Sequence, residues 1–168
     1  MQVLTKFCIA TLLLSGIYTG AQAQKLFFVF AHGQYASPVK TSFKDNYGYG
    51  LGAEGGVGIG ANKTFFIGTI GYSFFDARSG KEVGNLTYIP IKVGIRQYYL
   101  PAKILFLHAD AGMATIKEKG GSSMSRFTAD VGAGVKLGPF EFGVAYDGFV
   151  NDGFNSWVGF KGGYRIGL

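Results

Sequence analysis

The sequence is poor in cysteine and in charge, and each shortage excludes a class of protein. One cysteine in 168 residues excludes a disulfide-stapled scaffold. Charged residues make up only 15% of the chain, which is low for a soluble domain. Aromatic residues, at 16%, could bury enough surface to exclude a disordered chain. The 28 glycines would each cost a helix interior about 1 kcal/mol relative to alanine, which leaves an all-β single domain.

The first 23 residues have the pattern of a secretory signal peptide. Lys6 supplies positive charge, an apolar run of about a dozen residues follows, and Ala21-Gln22-Ala23 offers small residues to a signal peptidase. The run is too short for a spanning helix, which needs roughly 20 residues. Cys8 lies inside the run rather than after a small-residue cleavage motif, which disfavours a lipoprotein anchor. We predict cleavage after Ala23 and a mature chain, residues 24–168, without cysteine.

The mature chain alternates between apolar residues and small or polar residues with a period of two. This pattern is typical of β-strands with two unlike faces. Eight segments show it, and their lengths of about 9 to 13 residues suit tilted strands that cross a bilayer. The predicted strands are Gln24–Tyr35, Tyr47–Ile59, Lys63–Phe75, Thr87–Tyr99, Lys103–Thr115, Ser125–Leu137, Phe140–Val150 and Ser156–Leu168.

The first and third strands are aromatic on both faces, so alternation alone leaves their orientation open. In the first strand we place Phe27, Val29 and Ala31 outward, because this sends His32 and Gln34 inward. In the third strand, the residues placed outward are Phe66, Gly68, Ile70, Tyr72 and Phe74.

The predicted connections alternate in length. The long ones are Ser37–Asn46, Asp76–Asn85 and Lys117–Ser123, with Asn151–Asn155 of medium length. The short ones are Gly60–Asn62, Leu100–Ala102 and Gly138–Pro139. Transmembrane barrels have short periplasmic turns and longer external loops, so an even strand count leaves both chain ends periplasmic.

The polar face of the strands is rich in glycine, which favours an enclosed lumen. Glycine weakens a strand that faces solvent, whereas the lumen of eight strands is narrow and must be filled by side chains. The same face carries five acids and five bases, a balance that a closed interior needs. The predicted lumen charge network is Glu54, Lys92, Arg96, His108, Asp110, Asp130, Lys136, Glu141, Asp147, Lys161 and Arg165. We further predict that Lys92 faces Asp110 and that Lys136 faces Glu141.

Tyrosines near the predicted strand ends indicate where a bilayer interface would lie. Outward tyrosines at the ends suit the aromatic girdles of membrane proteins. The predicted girdle residues are Tyr47, Tyr49, Tyr99 and Tyr164, whereas Tyr88 and Tyr98 fall on the inward face.

The strand pattern resembles that of the small outer-membrane β-barrels of Gram-negative bacteria, such as the OmpX-like proteins and the membrane domain of OmpA. The segment Tyr88–Gly94 resembles the Ile-Pro strand of barrels from the Bacteroidota. The C-terminal residues Lys161, Gly163, Ile166 and Leu168 match the signal read by the barrel assembly machinery, although the last residue is Leu rather than the usual Phe. The resemblance implies an eight-stranded antiparallel up-and-down transmembrane β-barrel in the cell outer membrane.

We predict a non-enzymatic structural or surface-interaction barrel with four external loops and a lumen closed by the charge network. Expected partners are outer-membrane lipids and lipopolysaccharide, and the assembly machinery during insertion. We expect a monomer, no nucleic acid, no cofactor and no metal site. Two alternatives stay open: a lipid-modifying enzyme that uses His108 or His32, and a secreted soluble barrel of the lipocalin type with an apolar pocket.

Overall fold

The computed structural model describes residues 26–81, 83–99 and 104–167. The predicted signal peptide, Leu168 and the predicted turn Leu100–Ala102 lie outside these residues. Within them the chain forms eight strands and one short helix. The strands are β1 Phe27–Pro38, β2 Tyr47–Ala61, β3 Thr64–Ala77, β4 Leu86–Tyr99, β5 Leu105–Glu118, β6 Met124–Leu137, β7 Phe140–Val150 and β8 Phe154–Gly167; the helix, α1, is Thr41–Asn46.

The eight described strands close into an antiparallel barrel in which each strand pairs with its sequence neighbours and β1 pairs with β8. The predicted fold is therefore confirmed. Consecutive strands pair antiparallel, so one end of the barrel gathers the long connections and the other gathers the short ones. We call these the long-loop end and the short-turn end.

The outward face of the barrel is apolar and the inward face holds the polar side chains. Val93, Phe66 and Ile91 are 71%, 64% and 61% exposed, whereas Lys92 and Arg96 are each 2% exposed. The orientations predicted for the two ambiguous strands are confirmed, since Phe66 and Ile70 face outward and His32 faces inward. An apolar outer face and a charged interior are the reverse of a lipocalin-type barrel, so that alternative is wrong. No helix in the described residues is long and apolar enough to cross a bilayer.

Tyr47 departs from the predicted alternation. It was expected outward in the girdle, but its side chain is 3% exposed. The register shifts between Tyr47, which pairs with Ala77, and Tyr49, which pairs with Asp76. The extra residue, Gly48, forms a bulge that turns Tyr47 to the interior.

The first long connection also differs from the predicted loop, because it contains α1. This single turn of helix carries Phe43, which is 4% exposed and packs on Tyr47, Phe75, Phe149 and Trp157. The apolar side chain explains why the segment folds back over the barrel rather than standing in solvent.

Two apolar clusters close the interior, one at each end. The long-loop cluster is Ala36, Phe43, Tyr47, Phe75, Leu86, Tyr88, Ala114, Ile116, Phe149 and Trp157, and the short-turn cluster is Phe28, Phe30, Phe65, Ile67, Tyr98 and Phe106. The inward glycines make room for these rings: a Cβ at Gly58 would collide with the Phe28 ring, and one at Gly134 with the Phe106 ring. The charged side chains are therefore sealed between two apolar layers.

Candidate functional site

The polar middle of the lumen is the candidate site, and its short-turn half centres on two glutamates. Arg96 Nη1 donates to Glu141 Oε2 at 2.9 Å, and Lys161 Nζ donates to Glu54 Oε2 at 2.7 Å. His32 lies between the two carboxylates, with Nδ1 3.2 Å from Glu54 Oε1 and Nε2 3.2 Å from Glu141 Oε2. Each buried carboxylate therefore has charged and hydrogen-bonding partners, as burial of a charge requires.

The two arginines of this half are also packed against aromatic rings. The guanidinium of Arg96 lies 4.6 Å from the ring centres of both Phe30 and Phe106, and that of Arg165 lies 3.9 Å from the ring centre of Phe28. Cations favour such positions over ring faces. The short-turn cluster thus holds the arginines in place as well as closing the barrel.

The long-loop half contains a row of three aspartates. Asp110 on β5 pairs in register with Asp130 on β6, and Asp130 pairs with Asp147 on β7. Lys92 donates to Asp130 and, at 2.9 Å, to Asp147 Oδ2. Tyr88 OH also donates to Asp147 Oδ1 at 3.3 Å. Lys92 thereby neutralises one side of the row.

His108 lies beside the other side of the row. Its Nδ1 is 3.8 Å from Asp110 Oδ2 and its Nε2 is 3.8 Å from Asp130 Oδ1. Both distances are too long for hydrogen bonds. Among the described residues, neither imidazole nitrogen has a hydrogen-bond partner, and the same is true of Asp110 Oδ1 and Asp130 Oδ1.

The cross-strand partner predicted for Lys92 is wrong. Lys92 lies opposite Gly112, and Asp110 lies opposite Gly94. This register is displaced by two residues from the one expected for a turn at Leu100–Pro101. Lys136 does lie opposite Glu141, as predicted, and its side chain is half-buried.

The predicted assembly signal occupies both faces of β8. Lys161 points into the lumen and contacts Glu54, Gly163 pairs with His32, and Ile166 is 50% exposed on the outer face. Leu168, the last residue of the signal, lies outside the described residues.

The long-loop end carries a separate cavity of about 400 Å³. Its floor is apolar, with Phe43, Leu86 and Phe149, and its rim is polar. Tyr47 OH donates to Glu118 Oε1 at 3.2 Å at this rim. Sequence periodicity could not reveal the cavity, because α1 and the bulge at Tyr47 create it.

The comparisons with known proteins bear on the barrel itself. No protein-family profile and no curated protein matches the sequence. Neisserial surface protein A has 14% sequence identity and a TM-score of 0.56, covering 84% of this chain and 97% of its own. Ail, the attachment invasion locus protein of Yersinia pestis, has 18% identity and a TM-score of 0.57, covering 85% of this chain and 100% of its own.

The N-terminal barrel domain of Pseudomonas aeruginosa OprF has 11% identity and a TM-score of 0.57, covering 83% of this chain and 97% of its own. The chain has the fold of the small eight-stranded outer-membrane β-barrels. Identities this low establish the fold alone, and the resemblance to Bacteroidota barrels stays a prediction.

Proposed function

We propose that the protein is a non-enzymatic outer-membrane β-barrel that presents its long-loop end at the cell surface for structural or binding roles. The observation that carries this proposal is the distribution of side chains over the two faces. Large apolar residues such as Val57, Ile91 and Val131 are about half exposed or more on the outer wall, while the ionic groups are enclosed. An apolar outer surface of this extent is stable in hydrocarbon and unstable in water.

The fold of the neighbours supports the same location. Neisserial surface protein A and the attachment invasion locus protein bear names that describe surface proteins. We extend a surface role to this chain because its own long connections gather at one end. The predicted signal peptide and the C-terminal segment are the export and assembly features that such a location requires.

Membrane fractionation and gel mobility test this location. The full chain, expressed in a Gram-negative host, should enter the outer-membrane fraction with Gln24 as its first residue. It should migrate differently before and after boiling, because a folded barrel resists detergent until heated. Recovery of the unboiled protein in the soluble fraction would contradict the proposal. Ile166→Asn changes a residue of the predicted assembly signal, and we expect slower insertion of this variant.

We also propose that the lumen conducts no steady ion current. Between the two apolar clusters, His32 and His108 line a cavity of about 10 Å³, the size of a single water. The purified protein in a planar bilayer should show no stable conductance. A steady open state would contradict the closed lumen.

The lipid-modifying alternative receives no support from the positions of the histidines. His32 and His108 are 5% and 8% exposed, and both point into the sealed lumen. A lipid substrate on the outer wall cannot reach either imidazole. We therefore propose no enzymatic role for them.

Lipopolysaccharide phosphate is the surface partner that we propose for the long-loop end. Four cations gather there: half-buried Lys40 immediately before α1, exposed Lys44 on α1, and exposed Arg78 and Lys81 on the β3–β4 connection. Arg78 Nε donates to Lys44 O at 2.8 Å, which joins the two segments. Cations in such a cluster form charge-assisted bonds with phosphate. Ail, for comparison, has been solved with the heparin analogue sucrose octasulfate.

Salt-dependent binding tests this partner. Replacement of these four cations by glutamine should weaken lipopolysaccharide binding and flatten its dependence on salt concentration. The matched control is Lys63→Gln, an exposed lysine in the short turn at the opposite end. Equal effects of the two variants would contradict a specific role for the long-loop cations. The protein should sediment as a monomer in detergent in every case.

A further inference from the structure

We infer that the long-loop half of the lumen binds a divalent transition-metal ion through His108, Asp110 and Asp130. One donor atom from each of the three side chains lies within 4.8 Å of the others. The site lies inside the closed lumen and is independent of the surface role proposed above; its three donor residues come from β5 and β6.

The charges along the aspartate row are balanced on one side and not on the other. Asp110, Asp130 and Asp147 face one another across three adjacent strands, and like charges opposite each other on one face are destabilising. Lys92 forms ion pairs with Asp130 and Asp147. Within the described residues, the only basic group within 4.0 Å of the Asp110 carboxylate is His108. This side of the row therefore lacks a permanent cation.

Several donor atoms of these three residues are buried without hydrogen-bond partners among the described residues. His108, Asp110 and Asp130 are 8%, 6% and 4% exposed. Both nitrogens of His108 and one oxygen of each aspartate make no hydrogen bond within the described part of the chain. Buried polar atoms of native proteins normally have a partner, so four such atoms in one place point to a ligand.

The spacing and chemistry of the donor atoms suit a metal ion. His108 Nε2 and Asp130 Oδ1 are 3.8 Å apart, close to the spacing around an ion with bonds of about 2.0 to 2.2 Å. One carboxylate oxygen of Asp110 lies within 4.8 Å of the donor atoms of the other two residues and supplies the third ligand. One imidazole and two carboxylates suit zinc, manganese or cobalt rather than calcium or copper(I). Gly94 and Gly132 leave the space, because a Cβ there would collide with Asp110 Oδ1 and His108 Nε2 respectively.

Lys161 is the nearest competing cation. Its Nζ lies 4.0 Å from Asp130 Oδ2, but it donates to Glu54 Oε2 at 2.7 Å and is engaged there. Lys161 approaches Asp130 Oδ2, whereas His108 faces Asp130 Oδ1. The ion and the lysine therefore use different atoms of the same carboxylate.

The apolar clusters at both ends close the path from solvent to this site. We expect the ion to enter while the barrel folds and to exchange slowly afterwards. The tag-free mature chain should therefore be refolded in detergent with Co²⁺ present, and in parallel with EDTA. After free metal has been removed, three quantities are measured: the cobalt content per folded chain, the visible d–d absorption and the X-ray absorption at the cobalt edge.

The expected result is about one cobalt per folded chain with imidazole in its coordination sphere. His108→Gln and Asp110→Asn should each lower retained cobalt by about tenfold or more. His32→Gln is the matched control, because it changes the other buried histidine and should leave cobalt unchanged. Gel mobility before and after boiling confirms that each variant is folded.

Three results would overturn the inference. The folded wild-type chain could retain no cobalt. It could retain cobalt without an imidazole ligand. His108→Gln could retain as much as the wild type. The wild-type measurements decide the matter even if a variant fails to fold.

Discussion

The two halves of the polar lumen hold similar residues but complete their interactions differently. In the short-turn half, both nitrogens of His32 lie within hydrogen-bond distance of glutamates that also receive Arg96 and Lys161. In the long-loop half, Lys92 contacts two of the three aspartates, Asp130 and Asp147, and neither nitrogen of His108 has a hydrogen-bond partner among the described residues. The two halves thus differ in their supply of cations. In the short-turn half, the protein's own cations pair with both carboxylates, whereas the long-loop half has donor atoms left over that suit a ligand.

Loss of Lys92 should have the largest effect on stability. Lys92→Met leaves the three aspartates with no lysine in hydrogen-bond contact, and breaking a buried ion pair costs about 3 to 5 kcal/mol. We expect the loss in free energy of unfolding to lie at the upper end of this range, as measured by urea unfolding in micelles without metal. Lys63→Met, in an exposed turn, is the control and should change stability by no more than about 0.5 kcal/mol. A Lys92→Met barrel as stable as this control would refute the acidic-row interpretation.

Loss of Arg96 should have a somewhat smaller effect in the other half. Arg96→Met removes a charge-assisted bond to Glu141 and the contacts with Phe30 and Phe106. Glu141 keeps His32 at 3.2 Å and Arg165 at 3.8 Å, so we expect a loss near the lower end of about 3 to 5 kcal/mol. The same unfolding assay measures it. A larger loss of unfolding free energy for Arg96→Met than for Lys92→Met would show that the short-turn half does not have the better supply of cations.

The two histidines should respond differently to the same substitution. His32→Leu removes a partner from two buried carboxylates, and leaving such groups unsatisfied costs about 1 to 3 kcal/mol. His108→Leu removes nitrogens that have no hydrogen bond, so in EDTA it should be nearly neutral. Unfolding of both variants under identical conditions gives the comparison. Equal losses would indicate that His108 has protein partners of its own.

Single neutralisations within the acidic row should give the smallest effects. In EDTA, Asp110→Asn removes one of two opposed like charges and should stabilise the barrel by about 0.2 to 1 kcal/mol. Asp147→Asn should destabilise it instead, because Asp147 receives Lys92 and Tyr88. Opposite signs in the unfolding assay support the account. Stabilisation by both changes would mean that Lys92 does not satisfy Asp147.

Periodicity was sufficient to predict the eight strands and, apart from Tyr47, which of their faces is apolar. It could not predict the partners of Lys92, because a register shift of two residues leaves every side chain on the same face. The turn that sets this register lies between β4 and β5, where Pro and Ala give no fixed turn type. His108 and Asp110 are on β5 and Asp130 is on β6, so their proximity also depends on how these two strands pair. The sequence of a single strand does not specify that pairing.

The inward turn of Tyr47 and the helix α1 were missed for a related reason. A bulge adds one residue and reverses the alternation locally, and Gly48 gives no sign of it in a strand already rich in glycine. Phe43 is the one apolar residue in Thr41–Asn46, and a single apolar residue has no period. Its burial follows from the aromatic cluster below it, which only the closed barrel assembles.

Cysteine labelling at two neighbouring alanines tests the central claim that apolar residues face lipid and ionic residues are enclosed. Ala133 on β6 is exposed and Ala145 on β7 is 1% exposed, at adjacent levels of the same strand pair. In lipid vesicles, a fluorophore on Ala133→Cys should be quenched by brominated acyl chains, and Ala145→Cys should stay unlabelled until the barrel unfolds. Rapid labelling of Ala145→Cys by a water-soluble reagent, with no lipid quenching at Ala133→Cys, would contradict the claim.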